Sequence, residues 1–221
     1  MTSSVEDRSF GKRRAIVEAA TSLFLGRGYD GTSMDDVAGF ANVSKPTVYN
    51  HFDDKEQLFA EVVQATADRI DGLVRLVGDT LSRADDVEKA LTELARQFIG
   101  AIMQPQTLRL RRLVIANADR FPDVGRRWYK QGFERVLMTL AESFESLSSR
   151  GLLHISDPHL AADHFVGLLL WIPVNRAMFT GNYHARKVDL ERYSQAAVRA
   201  FLHGYRFAPR GEASREGTQD R

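Results

Sequence analysis

The chain has 221 residues, a net charge of +1 and no cysteine. Without cysteine, disulfides, thiol catalysis and zinc-finger sites are excluded, and the polar, charged first ten residues do not resemble a secretory signal. The longest apolar run, residues 165–174, is too short to cross a bilayer. We therefore expect a cytoplasmic protein without a membrane partner, with room for one large or two modest domains.

Overall charge does not indicate nucleic-acid binding. Residues 1–60 contain 7 Lys and Arg against 9 Asp and Glu. If this part of the chain binds DNA, the positive field has to come from residues 12–14, Lys45 and Lys55, helped by the N–H groups at helix N-termini. Such sparse charge favours a sequence-specific reader over a nonspecific coat.

The predicted elements begin with a helix over residues 12–27, because apolar residues recur there at spacings of three and four. Ile16 and Leu23 belong to this apolar face. Gly28 is suited to end the helix in the left-handed conformation. We expect residues 1–9 to be disordered.

Residues 32–59 predict two short helices joined by a tight turn, followed by the start of a longer helix. Ser33 and Ser44 are N-cap residue types, and Pro46 is tolerated because it falls in a first helical turn. Asn42 suits the turn because it accepts the left-handed conformation more readily than most residues. This arrangement, with polar residues at the start of the second helix, is typical of a helix-turn-helix that reads DNA.

The rest of the chain predicts helices and no strand, because its apolar residues recur at helical spacing. Pro173 is expected to kink the eighth helix, and residues 208–221 are expected to form a disordered tail. The fold class is therefore all-α with about nine helices. The six that follow the helix-turn-helix are predicted over about residues 54–81, 87–103, 105–121, 123–150, 157–180 and 189–207.

One run of residues carries a specific resemblance. Residues 43–58, VSKPTVYNHFDDKEQL, together with the first helix and the link GYDGTS, resemble the N-terminal domain of the TetR family of bacterial regulators. Asn42 and Asn50 differ from that family, which usually has glycine at the first position and often His or Arg at the second. Residues 109–180 resemble the C-terminal domain of its AefR-like branch.

The resemblance implies a division of labour along the chain. An N-terminal three-helix domain over residues 1–54 is expected to bind DNA through its helix-turn-helix. A C-terminal helical bundle over residues 55–207 is expected to bind a ligand and to dimerise.

The resemblance also implies which side chains bind DNA. Three are expected to bind phosphates and three to lie nearest the base edges. An asparagine can pair with adenine and a threonine methyl can contact thymine, each discriminating by about 1–3 kcal/mol. The phosphate set is Thr32, Tyr49 and Lys55, the base-edge set is Lys45, Thr47 and Asn50, and Ser44 and Pro46 complete the expected interface.

The eighth and ninth helices carry apolar residues around much of their circumference. Such helices are either buried in the core or partly covered by a second copy of the chain. A second copy is favoured because a lone helix-turn-helix reads few bases, whereas two copies about 34–36 Å apart read a palindrome. In the family these two helices form a four-helix dimer contact, and the residues expected here are Leu168, Leu169, Ile172, Phe179, Val198 and Phe201.

Members of the family bind small molecules inside the bundle, which implies an apolar pocket for an apolar or amphipathic effector. The candidate lining residues would otherwise be ordinary core. His159 and Asp163 share one helical face, but no third metal ligand is evident, and no phosphate-binding loop or catalytic motif occurs. We expect no enzyme activity, cofactor or metal. The candidate pocket residues are Phe98, Ile102, Leu113, Asn117, Phe121, Trp128, Phe133, Phe165 and Trp171.

The function expected from the sequence is that of a sequence-specific, DNA-binding transcriptional regulator. We expect a repressor that a small-molecule effector releases from a palindromic operator. The alternative is a ligand-independent architectural or adaptor protein that uses the same fold to hold DNA.

Overall fold

The computed structural model describes residues 3–82 and 84–206, and every regular element within these ranges is helical. None of the helices in these ranges is long and apolar enough to span a membrane. The elements are α1 Ser3–Arg27, α2 Met34–Phe40, α3 Lys45–His51, α4 Lys55–Ser82, α5 Val87–Ile102, α6 Pro105–Ala116, α7 Pro122–Trp128, a π-helical segment Tyr129–Glu134, α8 Arg135–Ser149, α9 Pro158–Thr180 and α10 Lys187–Tyr205.

The predicted all-α fold is confirmed, with two differences in detail. The helix predicted over residues 123–150 consists of α7, the π-helical segment and α8 in succession. The disorder predicted for residues 1–9 is wrong from Ser3 onward, because α1 begins there. Helix α9 runs through Pro173 to Thr180, as predicted, and the kink at Pro173 stays a prediction. The predicted tail, residues 208–221, lies outside the described residues.

Local hydrogen bonds set the boundaries of the two short helices. The Ser33 hydroxyl accepts from the backbone N–H of Asp36 at 3.1 Å, and the Asp36 carboxylate accepts from the Ser33 N–H at 2.9 Å, which together form a capping box at α2. At α3 the Ser44 hydroxyl accepts from the Thr47 N–H. Asn42, in the turn between them, has a φ of 52°. The turn therefore has the left-handed residue that the sequence predicted.

The link between α1 and α2 depends on two glycines. Gly28 ends α1 with a φ of 76°, a conformation that costs glycine little. A methyl group on Gly31 would lie 2.4 Å from the carbonyl oxygen of Arg27, so this position has no room for a side chain. The chain thus turns tightly enough to bring α2 back against α1.

Two apolar cores lie along the molecule. The larger joins α4, α5, α8, α9 and α10, and it contains a cluster of three rings in which Phe144 lies 5.8 Å from Phe165 and 5.2 Å from Phe201. The smaller, called here the N-terminal core, contains the buried residues of α1 to α3 and of α4 as far as Val63.

The N-terminal core also takes in residues from much later in the chain, namely Leu110, Leu113, Val114, Phe121 and Val124. The end of α6 and the start of α7 are therefore packed against the helix-turn-helix. Independent folding of residues 1–54 stays a prediction, because their core is completed by residues outside that range.

Candidate nucleic-acid interface and internal cavity

Helix α3 has one buried side and one exposed side. Val48 within it and Phe52 at its end are fully buried. The exposed side carries Lys45, Pro46, Tyr49 and Asn50, and the Tyr49 side chain is 43% accessible. Thr47 is half-buried. The apolar residues anchor the helix so that its polar face is offered outward, as a DNA-reading helix requires.

Lys45 is engaged by a neighbouring helix. Its Nζ lies 2.8 Å from Oδ1 of Asp35 in α2, and this contact raises the pKa of Lys45. Both side chains are largely exposed, and exposed ion pairs contribute little to stability. Replacing the contact between Lys45 and Asp35 by a contact between Lys45 and a DNA phosphate would therefore cost little free energy. The sequence analysis missed this pair because the partners are joined only through the turn.

That Thr32 and Lys55 bind phosphate stays a prediction, and in the structure both side chains are engaged within the protein. Thr32 is 2% accessible, and its hydroxyl donates to the carbonyl oxygen of Gly28 at 3.0 Å. The Lys55 Nζ donates to the carbonyl oxygens of Tyr29 and Thr32, each at 3.0 Å, and lies 4.2 Å from the centre of the Tyr29 ring. Both side chains thus fix the link between α1 and α2. At the adjacent start of α4, Oδ1 of Asp54 already accepts from the Gln57 N–H at 2.7 Å.

The basic start of α1 is also partly paired. The Arg13 guanidinium lies 2.7 Å from Glu61 of α4 and 5.1 Å from the Phe52 ring, while Arg14 pairs with Glu18 one turn along. Lys12 is exposed and has no ion pair among the described residues. Positive potential on this face therefore depends on a few side chains, of which Lys12 is the least engaged.

A cavity of about 370 Å³ lies within the C-terminal bundle, between α4, α5, α6, the π-helical segment, α8 and α9. This volume falls in the range of about 300–1,000 Å³ found for small-molecule sites. Four predicted pocket residues, Phe98, Ile102, Trp128 and Phe133, line it. The full lining is Gly72, Leu73, Phe98, Ala101, Ile102, Gln104, Thr107, Leu108, Arg111, Trp128, Gly132, Phe133, Val136, Leu137 and Val166.

The other five predicted pocket residues lie elsewhere. Leu113 and Phe121 belong to the N-terminal core, and the side-chain amide of Asn117 donates to the Leu113 carbonyl at 2.8 Å. Phe165 is in the ring cluster of the larger core, and Trp171 is 68% accessible. Three of the five lie on helices and two in the link between α6 and α7, and none lines the cavity, which apolar composition alone did not distinguish.

Arg111, which is not among the predicted pocket residues, is the charged residue of the cavity lining described here. It is half-buried, and its guanidinium carbon lies 5.1 Å from the centre of the Phe133 ring. Burial lowers the pKa of Arg111. No carboxylate among the described residues pairs with its guanidinium. The arginine-rich run of α6 looks like a solvent-exposed face, but Thr107, Leu108 and Arg111 share one helical face at spacings of three and four.

Half of the predicted dimer residues are exposed and half are not. Leu168, Ile172 and Phe179 of α9 are exposed, Phe179 at 87%. The expectation is wrong for the other three, because they are almost wholly inaccessible within a single chain. These three are Leu169, Val198 and Phe201.

The cavity and the N-terminal core share walls. Within α6, Leu110 and Leu113 face the N-terminal core while Leu108 and Arg111 face the cavity side. Trp128 both lines the cavity and packs against the N-terminal core. Residues of α6 and Trp128 therefore lie between the cavity and the N-terminal core.

Contacts after α6 strengthen this connection. The Phe121 ring lies 4.8 Å from the Tyr29 ring and 5.8 Å from the Phe59 ring. Arg120 pairs with Asp30 at 2.8 Å.

Within the described ranges, no group of three or more His, Asp or Glu residues is placed to hold a metal ion.

Known proteins match both halves of the chain. Residues 16–62 match the bacterial regulatory proteins of the tetR family, and residues 89–207 match the C-terminal domain of AefR-like transcriptional repressors. A solved structure of a TetR-family transcriptional regulator from Mesorhizobium loti is 50% identical, with a TM-score of 0.85, over 90% of this chain and 99% of that one.

Curated relatives match over a shorter part. IcaR, a negative transcriptional regulator of the biofilm operon icaADBC in Staphylococcus aureus, is 34% identical over 61 residues, which are 28% of this chain and 33% of that protein. FasR, a transcriptional activator of Mycolicibacterium smegmatis, is 34% identical over 91 residues, 41% of this chain and 40% of that protein. The chain spans less than half the length of these two relatives.

The C-terminal family match alone covers more than half of the chain, and the solved relative covers both the helix-turn-helix and the bundle. The resemblance found in the sequence is therefore confirmed. The chain belongs to the TetR family of bacterial regulatory proteins, with an AefR-like C-terminal domain.

Proposed function

We propose that the chain is a sequence-specific, DNA-binding transcriptional regulator. The observation that carries the proposal is the exposed polar face of α3, which buried Val48 and Phe52 hold in place. An α-helix with its side chains is about 10–12 Å across, so α3, with seven residues, fits the major groove, which is about 12 Å wide. Asn50 is suited to pair with adenine, and Tyr49 to bind phosphate.

The proposed regulator acts as a homodimer on a two-fold symmetric operator. A single α3 reads only a few base pairs, and two copies with reading helices about 34–36 Å apart double the site. Leu168, Ile172 and Phe179 leave an exposed apolar stripe along α9, at spacings of four and seven. A second copy of the chain would bury this stripe, as an isologous interface requires.

The proposed control is a two-state equilibrium set by a small molecule in the cavity. A ligand that favours a different position of α6 would shift the N-terminal core and move the paired reading helices off their spacing. Operator affinity then falls, and the protein acts as a repressor. Linkage requires that DNA weaken ligand binding by the same factor, with coupling typically about 1–3 kcal/mol. A non-enzymatic role is inferred from the family alone.

The direct test is a footprint of the purified protein on DNA flanking its own gene, at near-physiological salt and with nonspecific competitor. We expect two protected half-sites related by two-fold symmetry. Asn50→Ala should lose protection at particular bases, while Asn182→Ala, an exposed asparagine far along the chain, should not.

Two outcomes would redirect the proposal. No protection of any flanking sequence would contradict a locally acting regulator. Protection that every candidate cavity ligand leaves unchanged would favour the ligand-independent architectural or adaptor role.

A further inference from the structure

The cavity holds one cationic side chain in an otherwise apolar lining. Its walls are formed mainly by aliphatic and aromatic groups, including Leu73, Phe98 and Leu137. Arg111 is the only charged residue among the lining residues described. A guanidinium carries five N–H donors and stays charged at any physiological pH. The chemistry of this one group therefore decides which polar group a ligand should carry.

The charge of Arg111 has no counter-ion among the residues that the structure describes. No ion pair or hydrogen bond to its guanidinium occurs among the described residues. Asp71, which precedes the cavity residue Gly72 on α4, pairs instead with Arg135 at 2.8 Å. The face of the Phe133 ring compensates part of the charge, but it offers no acceptor to the N–H groups at the edge of the guanidinium.

The neighbouring polar residues of the lining each have a hydrogen bond within the protein. The Gln104 side-chain amide donates to the Gly100 carbonyl at 3.1 Å. The Thr107 hydroxyl points to the Ala101 carbonyl at 3.5 Å. Arg111 is thus left as the principal donor available to a bound molecule.

We propose that the cavity binds an amphipathic carboxylate, whose two oxygens pair with Arg111 and whose apolar body lies along Leu73, Phe98 and Leu137. A partly desolvated cation without a partner is unfavourable, and a planar carboxylate matches the guanidinium fork in two parallel hydrogen bonds. One guanidinium balances one negative charge, which favours a monoanion over a polyphosphate. This inference rests on the proposed function only in naming the ligand as the effector of a regulator.

The position of Arg111 also connects a bound carboxylate to the helix-turn-helix through α6. Arg111 follows Leu110, which is buried in the N-terminal core. A ligand charge bound at Arg111 therefore acts on the same turn of α6 that supports the helix-turn-helix. The apolar body would contact Leu73, Phe98 and Leu137, which belong to the larger core and not to the N-terminal core.

Ligand binding can be followed through tryptophan fluorescence. The chain has two tryptophans, of which Trp128 lines the cavity and Trp171 is exposed. Trp171→Phe leaves Trp128 as the only reporter. The probes are octanoate, decanoate and dodecanoate, each below its micelle concentration, with decanol as the uncharged partner of decanoate, and calorimetry gives an independent dissociation constant.

We expect the full chain to bind decanoate more tightly than decanol. Arg111→Met keeps an unbranched apolar side chain without charge, and it should weaken decanoate binding by about ten- to a hundred-fold, the range for hydrogen bonds to charged groups. Decanol binding should stay the same or improve. Arg112→Met removes an exposed charge from the same helix and should leave both affinities unchanged.

Three results would overturn the proposal: equal affinities for decanoate and decanol in the unmodified protein, equal losses of both in Arg111→Met, or no binding of any member of the series. The comparison of the two ligands needs no variant, so it decides the question even if Arg111→Met fails to fold. None of these results affects the footprint, so failure of the carboxylate proposal is distinguishable from failure of the regulator proposal.

Discussion

Replacing Phe121 by alanine tests whether the link between α6 and α7 is part of the DNA-binding unit. Phe121 is 6% accessible and packs against Tyr29 and Phe59. Removing a buried phenylalanine side chain costs about 3–5 kcal/mol, and aromatic pairs add about 0.5–1.5 kcal/mol to that burial. We expect a loss of about 4 kcal/mol in the free energy of unfolding. A domain typically has about 5–15 kcal/mol, so the variant should remain folded at low temperature.

The assay has a global and a local part. Urea unfolding followed by far-UV circular dichroism gives the total loss of stability. Native-state hydrogen exchange then shows where opening becomes easier, and we expect the amides of α1 to α3 to lose protection along with α6. Ile115→Ala, at an exposed position of α6, should change stability by less than about 0.5 kcal/mol.

A Phe121→Ala protein would refute the reasoning in either of two ways. One is a loss below about 1 kcal/mol, which would mean that the ring is not packed as described. The other is exchange that increases only in the C-terminal bundle, because then the N-terminal core would be complete without Phe121.

Three further predictions concern DNA affinity, acid stability and assembly. Asp35→Asn frees Lys45 for phosphate, so DNA affinity should rise and the slope of log K against log salt should steepen by about 0.9, measured by fluorescence anisotropy. Hydrogen bonds from Ser33 lower the pKa of Asp36. Their stabilising effect is therefore present above the unfolded pKa, about 4, and is lost as pH falls through the lower folded pKa. Asp36→Asn should accordingly flatten the decline in stability below about pH 4, measured by urea unfolding. Phe179→Asp should shift the protein towards monomer in light scattering, because it places a charge in the proposed apolar interface.

Each of these has a control and a contradicting result. Asp53→Asn removes an exposed charge without freeing Lys45, so an equal rise in DNA affinity there would show a general charge effect. An unchanged acid slope in Asp36→Asn would contradict the role of the capping box. Ile115→Asp adds a charge at another exposed apolar position, and equal dissociation in both variants would argue against an α9 interface.

The sequence predicted well those features that local chemistry decides. Ser33 and Ser44 are caps because their hydroxyls reach N–H groups three residues on, within the same segment. Asn42 is left-handed because the turn between two short helices demands it. These interactions involve neighbours in sequence, so residue type and spacing are enough to predict them.

Features that depend on distant segments were beyond the same reasoning. Leu168 and Leu169 are adjacent and chemically identical, yet one is exposed and the other buried, because α9 is apolar on more than one side. In the sequence, Lys55 resembles a free surface cation. In the fold, its Nζ donates to two carbonyl oxygens of the α1–α2 link, more than 20 residues earlier in the chain. Arg111 lines the cavity because residues of α4, α5 and α8 form walls around the same space.

The central claim is that the cavity and the reading helices are coupled through α6. The most direct measurement compares operator affinity with and without the carboxylate that binds most tightly, and carboxylate affinity with and without operator. We predict that both affinities fall by the same factor, between about 5-fold and 150-fold. Equal carboxylate affinity for the free and the DNA-bound protein would contradict the coupling.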